Sequence, residues 1–162
     1  MIQTELDPRE TTIRLPSPVT GLHLFLRHLP PGAGTSRHHP VLYVHGGTFS
    51  SALSIAHRFD GRSWRDELSD AGFDVWGLDF HGFGYADPYP DGDPHTPLGR
   101  TPDASLQLEQ AVRFILAYHS CPRLSLIAHS WGTMVSGHLA ARCPELIERM
   151  VFFGPIARRS PS

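Results

Sequence analysis

The amino-acid sequence predicts an α/β fold, a mostly parallel sheet with helices on both faces, built as a single domain over residues 1–162. Three observations predict it. Short continuous apolar runs at Val41–His45, Phe73–Phe80, Leu124–Ala128 and Met150–Phe153 read as strands buried on both faces. Segments of helical periodicity separate them, the alternation that parallel crossovers require. Glycine and proline number 15 each in 162 residues, about a fifth of the chain against roughly 12% on average, which suits a loop-rich layered fold and not a helical bundle.

In chain order, Thr11–Leu15 and Leu22–Leu26 read as two short strands, with Pro16, Pro18 and Gly21 turning the chain between them. Pro30–Pro40 is a loop holding Gly32, Gly34, His38 and His39. The strand Val41–His45 runs into Gly46-Gly47, and Arg62–Ala71 is a short helix stopped by Gly72. Phe73–Phe80 is a strand, and the Gly/Pro/Asp-rich stretch His81–Arg100 is irregular, with Phe83, Tyr85 and Tyr89 available to wall a site. From Thr101 a helix is expected: Pro102 suits its first turn, Asp103 complements its dipole, and Leu108, Val112, Ile115 and His119 share one face. Leu124–Ala128 is then a strand, Trp131–Arg142 a helix and Met150–Phe153 a sixth strand.

Composition narrows the function. Fourteen basic residues, all arginine, face sixteen acidic ones for a net charge of -2 without a single-sign block, so neither nucleic acid nor a membrane surface is indicated. No stretch approaches 18 apolar residues and the charged N-terminus lacks a signal-peptide core, which predicts a cytoplasmic protein. Cys121 and Cys143 are too few for a disulfide framework and read as free thiols. His38-His39 has no spaced acidic or cysteine partner, so no metal is expected. Gly82-Phe83-Gly84 lacks the third glycine and the following helix of a dinucleotide site, so no cofactor is expected either.

The sharpest chemical signal is Ala128-His129-Ser130-Trp131-Gly132, a serine between a strand and a helix with small residues two positions away on each side. Such a turn strains the serine backbone and brings neighbouring chain so close that positions 128 and 132 must be small. It lifts the Ser130 hydroxyl to the tip of the sheet and puts the Trp131 N–H at a helix start, where it can hold a developing negative charge. His45-Gly46-Gly47-Thr48 ends an earlier strand and offers the Gly47 N–H as a second donor; His45 reads as a structural residue of that loop.

These segments, together with Asp79-Phe80-His81-Gly82-Phe83-Gly84, resemble the α/β-hydrolase family over about residues 10 to 155. The resemblance implies a serine hydrolase that cleaves an ester, thioester or amide of a small acyl substrate. Ser130 is then the nucleophile, and Gly47 and Trp131 form the oxyanion hole. A serine nucleophile sets the chain apart from the dehalogenase and epoxide-hydrolase branches, which attack through an aspartate.

In that family the triad acid and histidine follow the nucleophile, and 32 residues follow Ser130 here. His138 lies about 12 Å up its helix, out of reach, and Glu145 and Glu148 lie beyond that helix. The expectation is the N-terminal portion of the fold, truncated after about the sixth strand, with triad acid and histidine missing. Upstream bases such as His81 or His129 are better explained by packing. Met150–Phe153 would then be an open apolar edge, able to self-associate or to pair with a C-terminal half. The competing expectation is a catalytically inactive remnant of that fold or an interaction module.

Overall fold

A computed structural model describes residues 7–33, 39–90 and 98–156. His38, the 91–97 part of the irregular stretch and the tail from 157 onward fall outside the described residues. Six strands form one sheet in the order β1-β2-β4-β3-β5-β6. They are β1 (Thr11–Pro16), β2 (His23–Leu29), β3 (His39–Val44), β4 (Phe73–Asp79), β5 (Leu124–His129) and β6 (Ile147–Phe153). β3, β4, β5 and β6 run parallel, while β1 and β2 add an antiparallel edge.

Helices cover both faces. α2 (Thr101–His119) and α3 (Trp131–Arg142) pack on one side, where Leu42, Val44, Leu126 and Ala128 meet Leu108, Val112, Ile115, Val135 and Leu139 in the main core. α1 (Trp64–Asp70) lies on the other, over a smaller cluster of Tyr43, Ile55 and Ala56 with Leu68 and Ile127. The strand residues alternate between the two clusters as the two-residue period of the pleat demands.

The boundaries depart from the sequence reading for local reasons. α1 starts at Trp64, not Arg62, because Phe59 and Arg62 exchange backbone hydrogen bonds in a tight turn and Ser63 caps the helix. The Ser63 hydroxyl accepts from Asp66 N (3.2 Å) while the Asp66 carboxylate accepts from Ser63 N (2.9 Å), a reciprocal capping box. β2 extends to Leu29 because both its edges are paired, and Pro30 ends it. β6 begins three residues early, at Ile147, since a 3-10 turn at Pro144–Leu146 delivers the chain beside Leu124. A second unforeseen 3-10 turn, Ser51–Leu53, hangs on the buried Asp79 carboxylate, which accepts from Ser51 N at 2.7 Å.

Among the described residues β6 pairs only with β5, and its apolar Met150, Val151 and Phe152 are 42%, 57% and 38% exposed. Cys121 and Cys143 are free, and burial pushes the Cys121 thiol up, away from the reactive thiolate. No helix among the described residues is long and apolar enough to cross a membrane.

Candidate active site

The sheet order places β4 on one side of β3 and β5 on the other, so the chain leaves β3 in one direction and returns on the opposite side. That switch opens a crevice at the C-terminal ends of β3 and β5, the usual ligand position in such sheets. The loop Gly46-Gly47 leaves β3 there, and Ser130 leaves β5 beside it.

Ser130 sits between β5 and α3 at φ 51°, ψ -122°, a conformation that side chains rarely adopt. Surrounding bonds hold it there. Its N–H donates to the Phe153 carbonyl (3.1 Å), and its carbonyl accepts from both the N–H and the hydroxyl of Thr133 (2.9 and 2.6 Å). The small-residue requirement read from the sequence is met at Gly132, where a Cβ would stand 2.5 Å from the His45 carbonyl oxygen and 2.6 Å from that of Val44. In the facing loop the crowded position is Gly46, whose Cβ would come within 3.1 Å of Ser130 Cβ; at Gly47 the nearest contact would be 3.8 Å. The loop glycine that lets backbone approach the serine is therefore Gly46.

His45 has the structural role expected of it. It is fully buried, and burial pushes its pKa down, which keeps the ring neutral. Its Nε2 accepts from Phe80 N (3.4 Å), so Nδ1 carries the proton and donates to the Gly46 carbonyl (2.6 Å). A trans peptide points its N–H opposite its C=O. Pinning the Gly46 carbonyl thus turns the Gly47 N–H away from the imidazole. Among the described residues no backbone hydrogen bond takes the N–H of Gly47 or of Trp131. Both N–H groups belong to the chain segments that flank the Ser130 turn, the loop after β3 and the first residue of α3.

A cavity of about 660 Å³ opens from this point, lined by Ser130, Gly46, Gly47 and His129 and walled by Phe49, Leu53, Ile55, Phe59, Trp64 and Phe153. Several of these aromatic and aliphatic side chains are exposed at its rim, an apolar surface of the kind that marks a binding site. On the other side of Trp131 a smaller hollow of about 280 Å³ is lined by Gly47, Phe83 and Tyr89. Phe83 and Tyr89 therefore wall this second hollow, and neither lines the cavity that holds Ser130. Tyr85 walls neither, for it turns away to pack on Phe25 at 5.2 Å.

Neither upstream histidine considered from the sequence is placed as a base. His81 is buried and fully engaged, Nδ1 with the Asp87 carbonyl (2.9 Å) and Nε2 with the Ser17 hydroxyl (2.7 Å). His129 lines the cavity but stacks on Phe153, ring centroids 4.4 Å apart. Sequence reasoning missed His57, which lines the same cavity against Phe59 (4.6 Å) with its Nδ1 buried and unpartnered; nothing in its neighbours along the chain signals that position. Among the described residues no histidine or carboxylate hydrogen-bonds the Ser130 hydroxyl, and the bonds of Ser130 run through its backbone.

A strained serine at a strand-to-helix turn, opposite a glycine loop on a switch-point crevice, is the architecture of an enzyme class, and the chain belongs to the alpha/beta hydrolase fold family, whose sequence model matches residues 39–162. No curated protein sequence matches it. Among solved structures it is similar to a thermophilic esterase from Thermogutta terrifontis, with TM-score 0.68, 19% identity, and coverage of 93% of this chain and 48% of that one. It is also similar to an epoxide hydrolase from Vigna radiata (TM-score 0.65, 17% identity, 94% and 42% covered). A haloalkane dehalogenase from Agrobacterium tumefaciens gives TM-score 0.63 and 17% identity, with 91% and 42% covered. At these identities the likeness is one of fold. The chain spans less than half the length of each of these proteins, in keeping with the expected resemblance to the N-terminal portion of the fold.

Proposed function

We propose that the chain carries the nucleophile and oxyanion hole of a serine hydrolase that cleaves an ester, thioester or amide with an apolar acyl group. The observation that carries this reading is the backbone of Ser130, held at φ 51° beside the unengaged N–H groups of Gly47 and Trp131. A residue in a sparsely populated backbone region persists only where its surroundings over-determine it. In the reaction the Ser130 oxygen bonds to the acyl carbon and the carbonyl π pair moves onto oxygen, where the two N–H groups meet it. The Ser130 proton passes to a base and then to the leaving group, and water releases the acyl group by the same route in reverse. Among the described residues no histidine or carboxylate is hydrogen-bonded to the Ser130 hydroxyl as that base. The apolar cavity supports an apolar acyl group. The serine supports acyl transfer over the aspartate chemistry of dehalogenases and epoxide hydrolases.

A fluorophosphonate probe tests the assignment. Covalent labelling is expected at Ser130, mapped by peptide mass spectrometry, and lost in Ser130→Ala, a substitution that leaves the fold intact. Silence of a folded wild-type chain would favour the second reading, a non-catalytic interaction module, which the lack of a described base on Ser130 supports. The open edge of β6 supports pairing with a further strand, and sedimentation at rising concentration reads whether a second copy supplies it.

A further inference from the structure

At the opposite end of the sheet from Ser130 lies a cluster that the acyl-transfer chemistry does not use. Asp74, the second residue of β4, pairs in register with Pro40 at the start of β3, whereas Ser130 follows Ala128, which pairs with Val44 at its end. Beside Asp74 stand His28 of β2 and His119, the last residue of α2. Both Nε2 atoms face the same carboxylate oxygen, Asp74 Oδ1, that of His28 at 2.5 Å and that of His119 at 3.9 Å. His28 and Asp74 are buried, and His119 reaches the surface with an 11% exposed side chain.

We infer that His28, Asp74 and His119 bind a divalent transition-metal ion of the zinc class, linking β2, β4 and α2. The three donor atoms all lie within 4.8 Å of one another. Ligands at the ~2.0–2.2 Å bonds of tetrahedral zinc stand about 3.4 Å apart, so binding draws His119 inward and spreads the His28–Asp74 pair from its 2.5 Å contact by about 1 Å, the ion replacing the proton that the pair shares. Two imidazoles and one carboxylate form the nitrogen-oxygen donor set that zinc and its neighbours prefer.

The outer contacts favour the same chemistry. His28 Nδ1 stands 3.4 Å from the Thr11 hydroxyl, the kind of partner that orients a metal-bound ring through its other nitrogen. His119 Nε2 accepts a hydrogen bond from the Trp76 indole N–H (3.0 Å), so that nitrogen carries a lone pair and not a proton. This lone pair stands 3.9 Å from Asp74 Oδ1, so both atoms can donate to one cation. On binding, the metal takes this lone pair and the indole N–H gives it up. Because the Trp76 ring also stacks on His28 at 4.1 Å, its fluorescence reports the event. The three ligands are 46 and 45 residues apart in sequence, read from their numbers 28, 74 and 119, so no local spacing advertises the site.

Titration of the full chain with Co²⁺ tests this, followed by visible d–d absorption and tryptophan fluorescence, with Zn²⁺ as competitor. One ion per chain is expected, displaced by Zn²⁺, together with a Zn²⁺-dependent rise in melting temperature. His119→Gln and Asp74→Asn should each weaken binding at least about tenfold, given that even outer-shell changes cost that much. His138→Ala, on α3, should leave binding unchanged. If Asp74→Asn does not fold, His119→Gln, at a helix end, carries the comparison. Absence of the absorption band, or equal affinity in wild type and His119→Gln, would overturn the assignment and leave only scattered surface histidines as ligands.

Discussion

Gly132→Ala is expected to cost about 3 kcal/mol of stability or more, the upper range for forcing extra atoms into a packed site. It should also abolish probe labelling at Ser130. The added Cβ would meet the carbonyl oxygens of His45 and Val44 at 2.5 and 2.6 Å. Both are backbone atoms at the end of the central strand, so no side-chain rotation relieves the contact. Only a retreat of α3 from β3 can do so, and α3 carries the Trp131 N–H at its first residue and Ser130 as its cap. One added methyl therefore strains the core and the oxyanion site together. Gly137, five residues further along α3, provides the control, because a Cβ there would meet nothing within 4 Å. Gly137→Ala should stabilise by about 0.5–1 kcal/mol, the usual gain from removing a mid-helix glycine. Urea midpoints of the two variants are thus expected to move in opposite directions. Equal shifts would show that helix propensity, not the approach of α3 to β3, governs position 132.

The contrast between these two glycines shows what the sequence could disclose. The nucleophile turn is a local device: strand, strained residue and helix follow within six residues, and the steric demands on 128 and 132 arise from that geometry, so they leave a readable pattern. The same holds for the Gly46-Gly47 loop, although which glycine is crowded depends on where the neighbouring strand places Ser130 Cβ, a tertiary fact. Strand β6 began early because a 3-10 turn with no strong signature positioned it. His57 reached the cavity through a loop without periodicity, and His28, Asp74 and His119 meet only because β2 lies beside β4 and α2 ends over both. Chemistry built within one turn of chain is legible in order of residues, and chemistry assembled across the sheet is not.

An ion triad of the latter kind should dominate the stability of the antiparallel edge. Glu10 precedes β1, Arg27 lies in β2 and Arg65 in α1, and all three side chains are at most 3% exposed. Glu10 Oε1 meets Arg27 Nη1 at 2.7 Å, and Oε2 meets Arg65 Nη1 at 2.6 Å. The second contact is held by charge more than by hydrogen bonding, since Arg65 Nε and Nη1 and Glu10 Oε2 lack aligned partners. One carboxylate thus separates two buried cations. Glu10→Ala leaves those cations facing each other without water, and is expected to cost roughly 3–5 kcal/mol, the range for breaking a buried pair from one side. The lost Coulomb attraction is only part of this; most is the uncompensated burial of charge. The triple change Glu10→Leu, Arg27→Met, Arg65→Met should therefore recover most of the loss, since well-packed apolar replacements of buried ion networks are often neutral or better. The recovery will stop short by about 1 kcal/mol, because Arg27 Nε also donates to the buried Ser51 hydroxyl (2.9 Å), which the methionine cannot replace. Chemical denaturation followed by tryptophan fluorescence reads all of these values. If Glu10→Ala alone costs under about 1 kcal/mol, the exposed-pair range, the triad is wet in solution and contributes no more than a surface bridge would.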